Sequence, residues 1–352
     1  MTRDEHVPSW QPIKGDELGP HRPNVLLVPE LPAGVVAIAF EHFAPGTRVA
    51  QGSLSRARDA TLTLLREAEF VVGFPWDMDE EAFRAASGSV RLVHLLSAGH
   101  ELLDMSLATR FGIPVSGNGG SNSTATAEHT VMLILAALRR FDQRTSSVKA
   151  GGWNDGLAGS LSTFELEGKT VGIVGMGHIG TAVVTRLRGF GVTLVYFSAS
   201  RLSAKEESKL DLHYKSLEGV LDECDILTLH VPLTPQTRQL IGQAELRRMK
   251  RGAVLVNTAR GGLVDEKALV AALEQGDLFY AAVDTLREEP PPRDSHLRRV
   301  DNLLITPHVA GHTRESWSKA FGHAALNVRR VMNGEPPLWL LRDNEGGAND
   351  TS

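Results

Sequence analysis

A single cysteine, Cys224, stands in 352 residues, so no intrachain disulfide can form and a reducing compartment is expected. Its neighbours, Leu221-Asp222-Glu223 and Asp225-Ile226, supply no base or ligand cluster. It reads as a packed thiol rather than a nucleophile or metal ligand, and no metal is expected. Long apolar runs are also missing. The most apolar stretch, Val131 to Leu138, is far too short to span a bilayer and reads as part of a buried helix. Asp4 and Glu5 lie near the start and no apolar segment accompanies them, so a secretory signal is not expected and the chain is placed in the cytoplasm. Nor is there an excess of positive charge. With 37 Lys+Arg against 42 Asp+Glu the net charge is -5, which excludes a broad basic field for nucleic acid or acidic membrane and favours small-molecule partners. No internal repeat or low-complexity block is present.

What remains is a composition that can bury sizeable cores, 42% hydrophobic and 22% charged, on a chain long enough for two domains. Residues 1–24 are rich in proline and polar side chains and predict a loosely ordered lead-in. From Val25 to about Gly120, short apolar runs such as Val35 to Phe40, Phe70 to Gly73 and Leu92 to Leu96 alternate with helical stretches, as βα units do. A Gly, Ser and Asn cluster, Gly117 to Ser123, then suits an interdomain hinge before a helical pattern from about Thr126 to Arg140. Further on come strands Val192 to Phe197 and Ile226 to His230, and a helix Asp265 to Gln275 that Gly276 can terminate. Beyond Gly311 a helix over Glu315 to Met332 is expected to cross back to the first domain, leaving residues 344–352 as a polar tail.

Two patterns carry chemistry. Strand-like Thr170 to Val174 runs into Gly175-Met176-Gly177-His178-Ile179-Gly180 and then a helical stretch, Thr181 to Gly189. A tight turn at Gly175, close backbone approach at Gly177 and helix-on-strand packing at Gly180 would hold a dinucleotide's diphosphate at a helix N-terminus. The second pattern is a succession of strand ends. Ala253 to Asn257 leads through Thr258-Ala259 to Arg260, Tyr280 to Asp284 into a loop holding Glu289, and Leu303 to Pro307 directly into His308. Carboxyl ends of parallel strands line one crevice. A guanidinium, a carboxylate and an imidazole meeting there around a carbonyl point to dehydrogenase chemistry. Singly each residue has an ordinary alternative: a surface ion pair for Arg260, a solvated charge for Glu289, a strand-end cap for His308.

These motifs, together with Ser97-Ala98-Gly99, Ala127-Glu128-His129-Thr130, Leu166 to Ile173, His230-Val231-Pro232-Leu233-Thr234, Asn257 to Asp265 and Thr306 to Gly311, resemble the D-isomer-specific 2-hydroxyacid dehydrogenases, the group that includes glyoxylate/hydroxypyruvate reductases and phosphoglycerate dehydrogenases. The resemblance implies an α/β fold of two doubly wound parallel-sheet domains. In it a Rossmann nucleotide-binding domain (125–310) is inserted into a flavodoxin-like substrate domain (1–124 and 311–352), and homodimers form through the nucleotide domains. It further implies that Arg260 binds the carboxylate and carbonyl of a 2-oxo acid, that His308 exchanges the proton, and that Glu289 favours the imidazolium and orients it. Backbone N–H groups of Ser97, Ala98 and Gly99 would meet the substrate carboxylate, unless the segment is a plain turn; His100 reaches the pocket or faces solvent. Cofactor contacts are implied for His230, Val231, Pro232, Thr237, Thr258, Ala259, His308 and Gly311. Asp284 would contact the nicotinamide carboxamide or else satisfy backbone donors.

The chain departs from the NAD pattern after Phe197. Where an acidic residue would hold the ribose 2′-hydroxyl, Ser198-Ala199-Ser200-Arg201 stands, so Ser198, Ser200 and Arg201 are candidates for a 2′-phosphate and NADP is weighed slightly above NAD. Phe74, Pro75 and Trp76 offer apolar surface near the expected cleft, or simply pack, which argues mildly against a phosphorylated substrate. In a chain of 352 residues, an appended regulatory domain of the sort many phosphoglycerate dehydrogenases carry is not expected. The expected activity is NAD(P)-dependent reduction of a small 2-oxo acid. Rival readings are a nucleotide-sensing corepressor-like protein and a formate- or phosphite-type dehydrogenase; formate enzymes of this fold pair the histidine with glutamine, whereas Glu289 stands here.

Overall fold

The computed structural model describes residues 9–13, 23–153 and 162–342. The tail over 344–352 and most of the lead-in over 1–24 lie outside them. Within the lead-in, Gln11–Pro12 form strand β1, which pairs antiparallel with the strand Arg48–Gln51. Pro12 is tolerated because an edge strand does not need its N–H. The chain divides into two compact units, one running to Asn122 and resuming at Thr313, the other spanning Ser123–His312.

In the first unit, β2 (Asn24–Val28), β3 (Arg48–Gln51), β4 (Phe70–Gly73), β5 (Leu92–Leu95) and β6 (Val115–Ser116) are mutually parallel and lie in the order β1-β3-β2-β4-β5-β6. Setting β1 aside, this is the flavodoxin-like order. Every residue of β4 and β5 is buried because helices cover both faces, which is why those strands read as continuous apolar runs. The run Val35 to Phe40, expected as one of the strands, lies instead inside the helix Ala33–His42. Ile38 and Ala39 are buried and Val35, Val36 and Phe40 pack partly against the same core, the spacing of a helix face rather than of alternating sides. That helix packs on Arg314–Met332, the returning helix.

The second unit holds β7 (Thr170–Val174), β8 (Thr193–Phe197), β9 (Leu212–Tyr214), β10 (Ile226–Leu229), β11 (Ala253–Asn257), β12 (Leu278–Val283) and β13 (Leu303–Ile305). All are parallel, in the order β13-β12-β11-β10-β7-β8-β9. This is the Rossmann order extended by one strand, and it reverses between β7 and β10, where such sheets bind their ligands. The helices expected over 126–140, 181–189 and 265–275 run Ser123–Arg139, His178–Leu187 and Glu266–Glu274. The second starts early because Gly177 is itself its N-cap, so His178, Ile179 and Gly180 form the first turn. Asp265 caps the third, its carboxylate accepting from the N–H groups of Lys267 and Ala268, and Gly276 follows the helix at φ +74°.

Candidate active site

The glycine turn is built for close approach. Gly175 sits at φ +103°, and a Cβ there would lie 2.6 Å from the carbonyl oxygen of His230. At Gly180 a Cβ would meet the Gly175 carbonyl oxygen at 2.1 Å, so helix and strand press together only through glycine. Gly177 faces open space, with nothing within 4 Å of its Cβ position, and no side chain caps the helix that begins beside it. The cradle therefore fits an anionic diphosphate supplied by a dinucleotide. Met176 and Ile179 are partly buried against the core, while His178 is exposed.

Around the rest of this crevice the expected cofactor residues are placed unevenly. Ser198 is half-buried and Ser200 exposed, but Arg201 is already engaged: Nε and Nη2 contact the Glu207 carboxylate at 2.7 and 2.9 Å, and the guanidinium lies over Tyr214. Hydrogen bonds from Arg201 and the Tyr196 hydroxyl pull the Glu207 carboxyl down to about 2. His230 is held by Thr228 at 3.0 Å, and burial pushes its imidazole down to about 3. Val231 packs on the core. Thr237 closes its own turn, its hydroxyl donating to the Pro232 carbonyl at 2.6 Å and accepting from the Thr234 N–H at 2.8 Å.

Arg260, Glu289 and His308 follow the carboxyl ends of β11, β12 and β13, three adjacent strands. His308 Nδ1 is 2.7 Å from Glu289 Oε2, and Glu289 Oε1 accepts the Leu286 N–H at 2.8 Å. Since the carboxylate can only accept, Nδ1 carries the proton and Nε2 is left for chemistry. Burial alone would raise the Glu289 carboxyl, but His308, the Leu286 N–H and the field of Arg260 together hold it below the ordinary carboxylate value. The guanidinium thus acts on the same carboxylate that orients the imidazole. His312 lies in this neighbourhood too, lowered first by burial and then by His308.

One residue outside the expected set, Asn257, and one within it, Asp284, hold these groups in place. Asn257, 1% exposed, accepts the Ala259 N–H on Oδ1 at 3.0 Å and donates from Nδ2 to the Arg260 carbonyl at 2.8 Å, locking the turn that presents Arg260. An Asx residue at a strand end, two positions before a loop, is the signal in the sequence that could have found it. Asp284 engages its own loop. Oδ1 accepts from the Thr306 hydroxyl at 2.6 Å and the Val309 N–H at 3.0 Å, Oδ2 from the Ala310 N–H at 2.8 Å, and the Asp284 carbonyl from the His308 N–H at 2.8 Å. These bonds satisfy backbone donors, one of the two roles expected for it. His308 needs that support, because its φ of +53° is a left-handed conformation costing on the order of 1–3 kcal/mol for a non-glycine residue.

Thr258 is buried, Ala259 partly buried, and Gly311 half-buried beyond His308. Ser97, Ala98, Gly99 and His100 belong to the first unit, where they follow β5 and the Ser97 hydroxyl donates to the Gly99 carbonyl at 2.5 Å. Phe74 packs edge-on against Trp317 with ring centres 6.0 Å apart, and both Phe74 and Trp76 lie partly in core clusters. Cys224 is fully buried, and burial, reinforced by Asp225, pushes its thiol up to about 12. Among the described residues no helix is long and apolar enough to cross a membrane.

The model for the D-isomer specific 2-hydroxyacid dehydrogenase NAD binding domain matches residues 131–310. A glyoxylate reductase of Korarchaeum cryptofilum (strain OPF8) is 34% identical over 329 residues, covering 91% of this chain and 96% of that protein. One from Aeropyrum pernix is 38% identical over 287 residues, 80% of this chain and 85% of the relative. Among solved structures, the TT0316 protein of Thermus thermophilus is similar at a TM-score of 0.78 and 33% identity, over 91% of this chain and 100% of that one.

Proposed function

Because this chain belongs to the D-isomer-specific 2-hydroxyacid dehydrogenase family and is an NAD-dependent oxidoreductase acting on CH–OH groups, we propose that it reduces a small 2-oxo acid to the D-2-hydroxy acid, with glyoxylate and hydroxypyruvate as the first candidates. The observation that carries this reading is the 2.7 Å contact between His308 Nδ1 and Glu289, made within the field of Arg260. With Nδ1 tied to the carboxylate, Nε2 gives a proton to the substrate oxygen in reduction and takes it back in oxidation. Arg260 carries a flat, permanently charged fork suited to the carboxylate and to the charge that grows on the carbonyl oxygen. The dinucleotide, when bound, supplies or accepts the hydride.

In the same reading Ser123–His312 is the nucleotide-binding domain and the other unit the substrate domain. A preference for the 2′-phosphorylated cofactor is supported by the missing carboxylate after Phe197 and by the serines there; Arg201 would serve it from within its pair with Glu207. A homodimer through the nucleotide domain is supported by Met132, Phe141, Val148 and Trp153, large apolar side chains exposed along one stretch, Trp153 by 86%. The buried free thiol is consistent with the cytoplasm.

A panel of 2-oxo acids run with NADH and NADPH, with formate oxidation alongside, tests the reading. Turnover should be greatest on short, unphosphorylated 2-oxo acids. Tight cofactor binding without turnover on any of them would move the assignment to a nucleotide sensor, and a strong preference for NADH would dismiss the 2′-phosphate preference.

A further inference from the structure

Helix Ser123–Arg139 turns an apolar face to the sheet, with Ala127, Val131, Leu133 and Ile134 in the core, yet two consecutive polar residues sit among them. Thr130 is fully buried and the His129 side chain is only 14% exposed. Buried polar groups persist where they are paired, and the partners here are telling. Thr130 Oγ1 lies 2.8 Å from Thr258 Oγ1, in the turn that carries Arg260. His129 Nε2 lies 3.0 Å from Thr306 Oγ1, two residues before His308.

The direction of each bond follows from counting protons. Thr306 has one hydroxyl proton and gives it to Asp284 at 2.6 Å, so it must accept from His129, which therefore carries its proton on Nε2. Burial keeps this imidazole below its ordinary value, against the pull of Asp284, in keeping with a neutral ring. Thr130 likewise donates to the Thr126 carbonyl at 2.8 Å, so the Thr258 hydroxyl donates to Thr130. From the helix one chain of bonds thus runs His129–Thr306–Asp284 to the N–H groups of His308, Val309 and Ala310. Another runs Thr130–Thr258 into the turn that Asn257 closes around Arg260.

We propose that His129 and Thr130 are positioning residues: side by side on one rigid helix, they hold the loops bearing His308 and Arg260 at a fixed spacing, so that the proton donor and the anion-binding guanidinium address the same carbonyl. This rests on the function proposed above. A helix suits the task because its backbone is already fixed by its own hydrogen bonds and by core packing, whereas each loop alone would wander by the ångström that costs rate.

The test uses the full chain with five variants. His129→Leu and Thr130→Val remove each bond at similar volume, His129→Gln and Thr130→Ser keep a donor or hydroxyl in reach, and Thr306→Val cuts the first chain from the loop side should His129→Leu fail to fold. Four quantities are read: kcat and KM for glyoxylate, the NADH dissociation constant from fluorescence quenching, and amide hydrogen exchange over 258–262 and 306–312. His129→Leu should lower kcat about 10- to 100-fold with little change in KM or NADH affinity, and speed exchange only over 306–312. Thr130→Val should raise KM roughly tenfold and speed exchange only over 258–262. The Gln and Ser variants should return most of each loss. Unchanged kinetics, simultaneous loosening of both loops, or no rescue by the conservative variants would overturn the proposal. If the wild type turns over no 2-oxo acid while exchange still splits between the loops, the functional reading falls and the clamp stands.

Discussion

Gly261→Ala is the sharpest perturbation the structure offers. A Cβ at Gly261 would lie 2.0 Å from the Leu286 carbonyl carbon, 2.3 Å from its oxygen and 2.4 Å from the Arg287 nitrogen. All three are backbone atoms, so no rotamer change relieves the clash. Ordinary contact begins at 3.4 Å, so the two segments must part by about 1.4 Å, the difference between 3.4 and 2.0. One segment follows directly on Arg260; the other contains Leu286, whose N–H holds Glu289 at 2.8 Å. The methyl therefore drives the guanidinium away from the carboxylate that orients His308. A misplacement of about 1 Å at reacting groups costs on the order of 100-fold, and forced overpacking costs about 1–3 kcal/mol of stability. Steady-state kinetics on glyoxylate, paired with NADH binding and thermal unfolding, should show kcat/KM lowered about 100-fold with cofactor affinity nearly intact, since Gly175–Gly180 lies on a different turn. Gly262→Ala is the control, because its Cβ would meet only the Leu233 side chain at 2.9 Å, which can turn aside. Kinetics of Gly261→Ala within twofold of wild type, or equal damage from both alanines, would refute the reasoning.

His308→Asn and Arg260→Ala should each lower turnover by roughly two to four orders of magnitude while NADH still binds, as measured by stopped-flow and fluorescence; near-normal turnover would remove them from the assigned roles. His94, buried in β5 and pushed by burial down to about 3, is protonated far more readily in the unfolded chain, whose ordinary value is 6.5. Its contribution to stability is therefore complete above about 6.5 and lost as pH falls toward 3, and His94→Gln should flatten that part of the acid-denaturation curve. With its thiol pushed up to about 12, Cys224 should resist Ellman's reagent in the native protein and react as one equivalent after unfolding in guanidinium. Fast reaction in the folded state would contradict its burial.

Much of the site is legible in the sequence. The glycine turn is legible because its geometry is set by three residues within six positions, and Arg260 and His308 because each closely follows an apolar strand of a parallel sheet, whose carboxyl edge is where such sheets bind ligands. Glu289 can be named by order along the chain, yet its grip on both the Leu286 N–H and His308 cannot. The run Val35 to Phe40 reads wrongly as a strand because an apolar segment of that length satisfies strand and helix alike until its packing partner, the helix Arg314–Met332, is known.

Composition and motif order by themselves determined two parallel α/β units, a glycine turn that opens a helix, and three strand ends that lead to a guanidinium, a carboxylate and an imidazole, since each depends on short stretches of chain whose local chemistry admits few alternatives. Tertiary structure alone decided that Arg201 is engaged by Glu207 and Tyr214, that Asp284 ties down the loop of His308, that Gly261 lets two backbones touch, and that His129 and Thr130 reach loops more than 120 residues away. Hydrogen bonds and steric contacts act over a few ångströms in space, and only folding sets which distant residues lie that close.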